Sequence, residues 1–315
     1  MFRPTIVLTG AGGHIGGRLL QHLITKQHSI RPHFRNAGES SAIWSYLNPT
    51  FGDLRNSETC LRICDGADIV VHTATRGYST SRRETFDSLR EEREATLQLA
   101  RACKQSAARR FIFISTIRVY GKSLIGRVSE ETVPQPMDLL GTERLRLETE
   151  MRGLFSDNRP MLTILRASNS FGIAASPPQT PWDLLIHQLC REAAAHGTMT
   201  LLTDGRQHRD FIPLGEFVQL VEQIMMHPHA TDPCYLIASG ISRTLNDIRS
   251  QLSEYMTTHF GITPRQNNTS IDGPPPSLFN ISVAKLRSLG IAPSSEWTNE
   301  LHRLMNLALL VRGAS

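Results

Sequence analysis

Thr9-Gly10-Ala11-Gly12-Gly13-His14-Ile15-Gly16 is the stretch from which the rest of the chain is read. It ends Thr5-Ile6-Val7-Leu8-Thr9, a short apolar run with β-branched residues. It leads into His14 to Lys26, where Ile15, Leu19, Leu20 and Leu23 recur at helical spacing. A strand, a glycine turn and a helix therefore stand in immediate succession. Gly10 permits the tight turn, Gly13 lets the backbone approach a pyrophosphate, and Gly16 lets helix and strand pack closely. The helix start adds free N–H groups and the positive end of its dipole. A glycine-rich turn alone is a weak signal. Placed between strand and helix, it predicts a dinucleotide site with Gly10, Gly13, His14, Ile15 and Gly16 around the phosphates.

Downstream, strands and helices alternate, which implies a parallel sheet covered on both faces. Ser29 to Phe34, Asp68 to His72, Phe111 to Ser115 and Met161 to Arg166 read as further strands, with helices over Arg83 to Ala107 and Thr142 to Phe155. After Arg166 the pattern loosens. Prolines at 177, 178 and 181, then Pro274-Pro275-Pro276, separate shorter elements. The expectation is an α/β protein with a Rossmann-type doubly wound parallel sheet over residues 1–170. A smaller C-terminal substrate lobe would occupy 171–315, with segments crossing between the two.

The 315 residues suffice for a sizeable core. Hydrophobic residues at 40% and charged residues at 20% match a soluble globular protein. No apolar run reaches the roughly 18 residues of a membrane span. Met1-Phe2-Arg3-Pro4 runs straight into the first strand, which leaves no room for a signal peptide and implies a cytoplasmic location. The formal charge of +5 and a pI near 9.1 favour anionic ligands. The arginines are scattered rather than gathered in a stripe with aromatics, which argues against nucleic acid. Arg82-Arg83 and Arg109-Arg110 read as solvated helix and strand ends. Five cysteines, an odd count with no C-x-x-C pair, argue against a disulfide framework. Cys60 and Cys64 are spaced to share a helix face, but nothing nearby completes a metal site, and no metal is expected.

The T-G-x-x-G-x-x-G form of residues 9–16 resembles the short-chain dehydrogenase/reductase superfamily. More specifically, the chain is similar to its extended branch, the nucleotide-sugar epimerase/dehydratase family. Gly52-Asp53-Leu54-Arg55 resembles that family's G-D-L motif, which implies adenine contacts from Asp53 and Leu54. His72-Thr73-Ala74-Thr75 resembles its H-x-A-A, which implies that Thr73, Ala74 and Thr75 line the cofactor. Ser115 to Gly121 resembles S-S-x-x-V-Y-G, and Leu165 to Gly172 resembles L-R-x-x-N-x-Y-G. Arg209-Asp210-Phe211-Ile212 with Glu216 resembles R-D-F-x-x-V-x-D, a segment near the substrate phosphates. Leu289-Gly290 and Pro293 resemble the C-terminal L-G-x-x-P. The resemblance spans essentially the whole chain. It implies a small-molecule substrate held by Thr116, Asn169 and Arg209, no membrane partner, and room for a homodimer.

Cofactor type is argued from the end of the second strand. An acid there accepts the ribose hydroxyls of NAD, whereas an arginine pairs with the 2′-phosphate of NADP. Phe34 stands where the acid is expected, and Arg35 follows it. A guanidinium makes charge-assisted, often bidentate bonds to phosphate. NADP(H) is therefore favoured over NAD(H).

In the family, a Y-x-x-x-K tyrosine exchanges a proton with the substrate oxygen. Its unperturbed pKa of roughly 10 is lowered by the lysine and the cationic ring. Here Leu140-Gly141-Thr142-Glu143-Arg144 occupies that place. Leu140 has no proton to give. Arg144 is able to hold the nicotinamide ribose but not to shuttle protons at neutral pH. Thr116 matches the family's serine/threonine beside the substrate oxygen. Tyr78, in the loop after the H-x-A-A segment, is the leading relocated acid. Tyr120 reads as structural and His72 as a packed histidine, and Asp138 and Glu143 flank the altered motif. The expected catalytic residues are Thr116, Tyr78 and Arg144. Three classes stay open: an epimerase, dehydratase or reductase with a displaced acid; a non-redox enzyme that keeps the cofactor; and a nucleotide-sensing protein without turnover. Thr116, Asn169 and Arg209 lean away from the last.

Overall fold

The computed structural model describes residues 3–39, 42–74, 85–121, 124–268, 278–294 and 296–312. Its first half runs β1 (Thr5–Thr9), α1 (His14–Thr25), β2 (Ser29–Phe34), β3 (Thr50–Phe51), α2 (Ser57–Cys64), β4 (Ile69–His72), α3 (Phe86–Gln105), β5 (Arg110–Thr116), β6 (Gly126–Val128), α4 (Leu139–Leu154) and β7 (Met161–Ala167). The second half continues with β8 (Asn169–Phe171), α5 (Leu185–His196), β9 (Thr198–Leu201), β10 (His208–Pro213), α6 (Leu214–Met226), β11 (Cys234–Ile237) and β12 (Ser242–Thr244). It closes with α7 (Leu245–Phe260), β13 (Arg265–Asn268), β14 (Phe279–Ile281), α8 (Ala284–Ser288) and α9 (Thr298–Val311).

Seven strands form one parallel sheet in the order β11-β7-β5-β4-β1-β2-β3. Strand order reverses between β1 and β4, and the crevice beyond the carboxyl ends of such a pair is where ligands bind in open α/β sheets. Continuous apolar strands are what a sheet covered on both faces requires. Ile6, Leu8, Val71, Ile112 and Ile114 point into a core shared with α1 and α6. Val7, Val70, Phe111 and Phe113 alternate to the opposite core beneath α2, α3 and α4. Among the described residues no helix is long and apolar enough to cross a membrane.

A second sheet, β12-β10-β8, carries the smaller lobe. Phe171, Phe211, Leu245, Trp297 and Leu301 share its core. The chain crosses back to the main sheet through α6 and β11, so the lobes are interleaved rather than sequential. Arg18 of α1 and Glu300 of α9, 282 residues apart, tie them together in a buried pair at 3.1 and 2.9 Å.

Several local expectations change. Arg110 is buried, not solvated: its guanidinium donates to the carbonyls of Ile224, Met225 and Ala230. Together with the His227 amide, which donates to the Ile224 carbonyl, it satisfies the carbonyls at the end of α6. Helix α3 begins at Phe86 because Thr85 and Ser88 form a reciprocal capping box. Helix α4 begins at Leu139, three residues before the sequence reading, because Asp138 accepts from the Gly141 amide at 2.8 Å. All five cysteines are free and buried. Burial pushes the Cys60 and Cys190 thiols up to about 12, which makes them inert packing groups. Among the described residues no group of His, Cys, Asp or Glu is arranged to hold a metal.

Candidate active site

The glycine turn sits at the carboxyl end of β1. Gly10 has φ +75°, and a Cβ there would lie 2.6 Å from the Ala74 amide nitrogen. A Cβ on Gly16 would lie 2.1 Å from the Gly10 carbonyl oxygen and 2.5 Å from Thr73 Oγ1. These two glycines therefore let α1 press against the ends of β1 and β4. Gly13 differs. A Cβ there would meet just the Gly10 carbonyl oxygen, at 3.3 Å, so the protein does not fill the space that Gly13 leaves. Gly13 also caps α1 with no side-chain acceptor, and the first turn carries no acid. The helix N-terminus is thus an open positive end, and the residues present fit a dinucleotide pyrophosphate.

Thr73 fixes the opposite wall of the crevice, its hydroxyl donating to the Thr9 carbonyl at 2.7 Å. Ala74 follows it against Gly10. Ile15 packs half-buried against the α1–α6 core. The His14 ring turns toward the second lobe and donates from Nε2 to the Gly172 carbonyl at 2.9 Å. His187 donates to the same oxygen at 2.8 Å. Burial, and then the neighbouring His187, push His14 down to about 3.

At the far side of β1, Arg35 is exposed just beyond the end of β2. The Asp53 carboxylate is held by Arg55 at 2.6 Å, which pushes it down to about 2. Leu54 packs on the core, and its carbonyl accepts from the Cys60 thiol at 3.0 Å.

His72 is enclosed at the end of β4. Thr96 Oγ1 gives its proton to the Glu92 carbonyl, so it accepts from His72 Nε2 at 2.9 Å. Nδ1 then accepts from the Thr9 hydroxyl at 2.7 Å. The ring stacks on Phe113, and burial pushes its pKa down to about 3. It is a neutral packing group. Tyr120 is likewise structural, donating to the Ser129 carbonyl and accepting from Arg166 within the Ser115–Glu148–Arg166 network.

Leu140 to Arg144 lie on the first turns of α4. Gly141 presses the helix against the turn after β5, because a Cβ there would lie 2.5 Å from the Arg118 carbonyl oxygen. Asp138, besides capping α4, pairs with Arg118. Leu140 is 3% exposed. Arg144, 8% exposed, pairs with Glu92 of α3, which is 7% exposed. The Arg144 guanidinium also lies 5.9 Å from the Phe113 ring centroid. Beside them Arg93 meets Glu143 at 3.5 Å and Glu150 at 2.8 Å. The helices α3 and α4 are therefore joined by a layer of ion pairs. Neither Glu92 nor Arg93 was singled out from sequence, because their partners lie on another helix. Thr75 and Tyr78 lie outside the described residues.

Thr116 ends β5, with its hydroxyl accepting from the Arg118 amide at 3.2 Å. It is in register with Ala167 of β7, two residues before Asn169. Asn169 in turn donates to the Asp210 carbonyl at 2.9 Å. Asp210 is buried and anchors this junction by accepting from Ser168, Ser239 and the Ile241 amide. Arg209 precedes it. Its guanidinium donates to the His208 carbonyl and, among the described residues, pairs with no carboxylate. Burial pushes it below the ordinary guanidinium value. Thr116 thus stands at the carboxyl end of β5 in the main sheet, whereas Asn169 and Arg209 stand on neighbouring strands of the second sheet. A separate cavity of about 450 Å³ opens between β6 and β14, lined by Arg127, Phe279, Ile281 and Arg287 among others, and takes none of the three.

Known proteins carry the same organisation. A model of the NAD dependent epimerase/dehydratase family matches residues 6–238. The chain is 27% identical over 247 residues to the uncharacterized UDP-glucose epimerase YtcB of Bacillus subtilis (strain 168), covering 71% of this chain and 73% of the relative. It is 25% identical over 242 residues to UDP-glucose 4-epimerase of Vibrio cholerae, covering 75% and 71%. In three dimensions it is similar to UDP-glucuronic acid 4-epimerase from Bacillus cereus, solved in complex with UDP-glucuronic acid and NAD. The TM-score is 0.79 at 22% identity, over 98% of this chain and 99% of that one. With its glycine turn, its parallel sheet and a family match over most of its length, the chain belongs to the NAD dependent epimerase/dehydratase family.

Proposed function

We propose that this chain is an enzyme that binds NADP(H) in preference to NAD(H) and acts on a nucleotide sugar or a related biosynthetic small molecule, with the family's tyrosine–lysine pair replaced. The observation that carries the reading is the glycine turn, which is packed for an open α1 N-terminus at the crevice between β1 and β4. Gly10, Gly13, Gly16 and the amides of His14 and Ile15 hold the pyrophosphate, with Thr73, Ala74 and Thr75 along the wall. Asp53 and Leu54 border the adenine, and Arg35 takes the 2′-phosphate. The bound nicotinamide supplies reversible hydride transfer.

On the substrate side, the Thr116 hydroxyl and the Asn169 amide orient the reacting end, and Arg209 takes the phosphates. Tyr78 is the proposed proton donor. A second reading, a non-redox elimination or isomerisation with the cofactor retained, draws on one arrangement. Leu140 carries no proton, Arg144 is engaged by Glu92, and His72 is neutral and enclosed.

Calorimetric titration of NADP⁺ and NAD⁺ into the wild type and Arg35→Ala tests the cofactor preference. Equal affinities, or no change on Arg35→Ala, refute it. A panel of UDP- and dTDP-sugars, followed at 340 nm and by product analysis, tests the reaction. Turnover lost in Tyr78→Phe supports the displaced acid. Product formed with no change in redox state and full activity in Tyr78→Phe supports the second reading. Dinucleotide binding with no turnover refutes both.

A further inference from the structure

The cavity of about 450 Å³ beside β6 and β14 is lined by Arg127 and Arg287 and, among the described residues, by no carboxylate. Local structure explains why two guanidiniums meet there. Strands β6 and β14 are parallel, with Arg127 in register with Asn280 and Val128 with Ile281. Val128, Phe279 and Ile281 turn into the core, so alternation sends Arg127, Asn280 and Ser282 to the opposite face. Arg127 Nη2 donates to Ser282 Oγ at 3.1 Å, which steadies the arm. Arg287 arrives from α8. Two residues earlier on that helix, Lys285 pairs with Glu131 and Asp232 at 3.6 and 3.7 Å. Residues two apart on a helix do not share a face, so those carboxylates stand away from Arg287.

Both guanidiniums keep donors to give. Among the described residues the Arg287 side chain makes no hydrogen bond or ion pair, and Arg127 makes the one to Ser282. Gly126 leaves its side of β6 open, since a Cβ there would meet nothing within 4 Å. A concave site lined by one sign of charge concentrates the opposite ion. Its volume of about 450 Å³ falls among small-molecule sites, which run from roughly 300 to 1,000 Å³.

The charge of the lining selects the ligand. A phosphomonoester carries about −1.5 to −2 charge at pH 7 and three acceptor oxygens, enough to engage both arginines. A carboxylate has one charge and two oxygens, which a single guanidinium satisfies bidentately. The cavity is far larger than a bare phosphate, and Leu278 and Val283 add an apolar wall for an organic body.

We propose that this cavity is a second ligand site, in which Arg127 and Arg287 hold the phosphoryl group of a small organic phosphomonoester while Asn280 and Ser282 contact its body. The site shares no residue with the glycine turn or with Thr116, Asn169 and Arg209, and it does not depend on the reaction proposed for them.

The test is calorimetric titration of phenyl phosphate, inorganic phosphate and benzoate into the full chain in the presence of NADPH. Wild type is compared with Arg127→Met, Arg127→Lys, Arg287→Met and Arg209→Met. Arg127 and Arg287 are exposed, so a variant that melts with wild type reports the contact and not the fold. Charge-assisted hydrogen bonds are the strong ones, so each methionine variant at 127 or 287 should weaken phenyl phosphate at least tenfold. Arg127→Lys should retain part of the affinity, Arg209→Met should stay within twofold of wild type, and benzoate should bind at least tenfold more weakly than phenyl phosphate. Binding unchanged in Arg127→Met and Arg287→Met overturns the proposal, as does binding lost in Arg209→Met, which would move the ligand to the other lobe's pocket. Inorganic phosphate bound as tightly as phenyl phosphate overturns the ester, and benzoate bound as tightly overturns the phosphoryl group. Binding of none of the three by wild type overturns the site itself.

Discussion

Replacing Arg144 with methionine should destabilise the protein severely, and replacing Glu92 at the same time should restore it. The two side chains pair while 8% and 7% exposed, so neither is hydrated in the folded state. Removing one partner of a buried pair costs about 3–5 kcal/mol, chiefly because the survivor is left charged and desolvated, whereas removing both is often neutral. The cleft among Leu89, Glu92, Leu140, Glu143, Arg144 and Leu147 holds about 10 Å³, which is barely enough to hydrate an orphaned Glu92 with one water. Loss of the contact with Phe113 adds about 0.5–1 kcal/mol. At roughly 2 °C per kcal/mol for a chain of this size, Arg144→Met should melt about 6–10 °C below wild type. The assay is a double-mutant cycle by urea denaturation over wild type, Arg144→Met, Glu92→Met and the double variant. NADPH affinity is measured on the same four proteins. A coupling below about 1 kcal/mol would falsify the account of the pair as the tie between α3 and α4. Affinity lost in both proteins that lack Arg144 identifies a ribose contact, and affinity restored in the double variant identifies a structural tie, the outcome the burial favours.

Gly16→Ala should lower the melting temperature and weaken NADPH binding at least tenfold, because the new methyl would lie 2.1 Å from the Gly10 carbonyl oxygen. Near-native binding by calorimetry would contradict the packing argument. Stability should also fall with acid. His72 and His187 are pushed down to about 3 and about 4, chiefly by burial, against roughly 6.5 in the unfolded chain. The stability they contribute is complete above pH 6.5 and is lost as pH falls toward those values, at about 1.4 kcal/mol per pH unit for each ring. Asp210, whose carboxyl burial pushes up, contributes the opposite slope. Urea midpoints at pH 7 and pH 5 should therefore differ, and His72→Asn should show a shallower slope; identical slopes would rule the ring out. Arg18→Met leaves Glu300 buried against the Ile173 and Gly215 amides, so amide exchange in α9 should accelerate out of proportion to the rest of the chain. Uniform exchange would show that Arg18 is not the tie between the lobes.

Elements with a local cause were legible in the sequence. The alternation of Ile6 and Leu8 against Val7 gives a strand buried on both faces, and the cores on either side of the sheet divide in that way. The glycines of the turn announce their backbone demands, because no other residue tolerates the position of Gly10. Features with a distant cause were not legible. Arg110 looks like a solvated strand end until the carbonyls closing α6, over a hundred residues on, arrive around it. Arg18 and Glu300 carry no mutual signal across 282 residues. Arg243 has no motif of its own, and its place opposite Arg209 comes from the antiparallel pairing of β10 and β12.

The same distinction bears on Leu140 and Arg144. That Leu140 carries no proton is a statement about one residue, and the sequence makes it. That Arg144 no longer has a free guanidinium is a statement about two helices, since α3 supplies Glu92 and α4 supplies the arginine. A lysine returned to position 144 would meet that same buried carboxylate. Its single ammonium would then pair with Glu92 less completely than the planar guanidinium does. Tyrosine at 140 would place a hydroxyl where a 3% exposed leucine now packs. A tyrosine at 140 with a lysine at 144 would therefore demand changes on both helices, Glu92 included. The Arg144–Glu92 pair is built into the packing of α3 on α4, and His72 links that region to the end of β1 through Thr96 and Thr9. The glycine turn and the ion-pair layer therefore rest on different elements, α1 against one face of the sheet and α3 with α4 against the other.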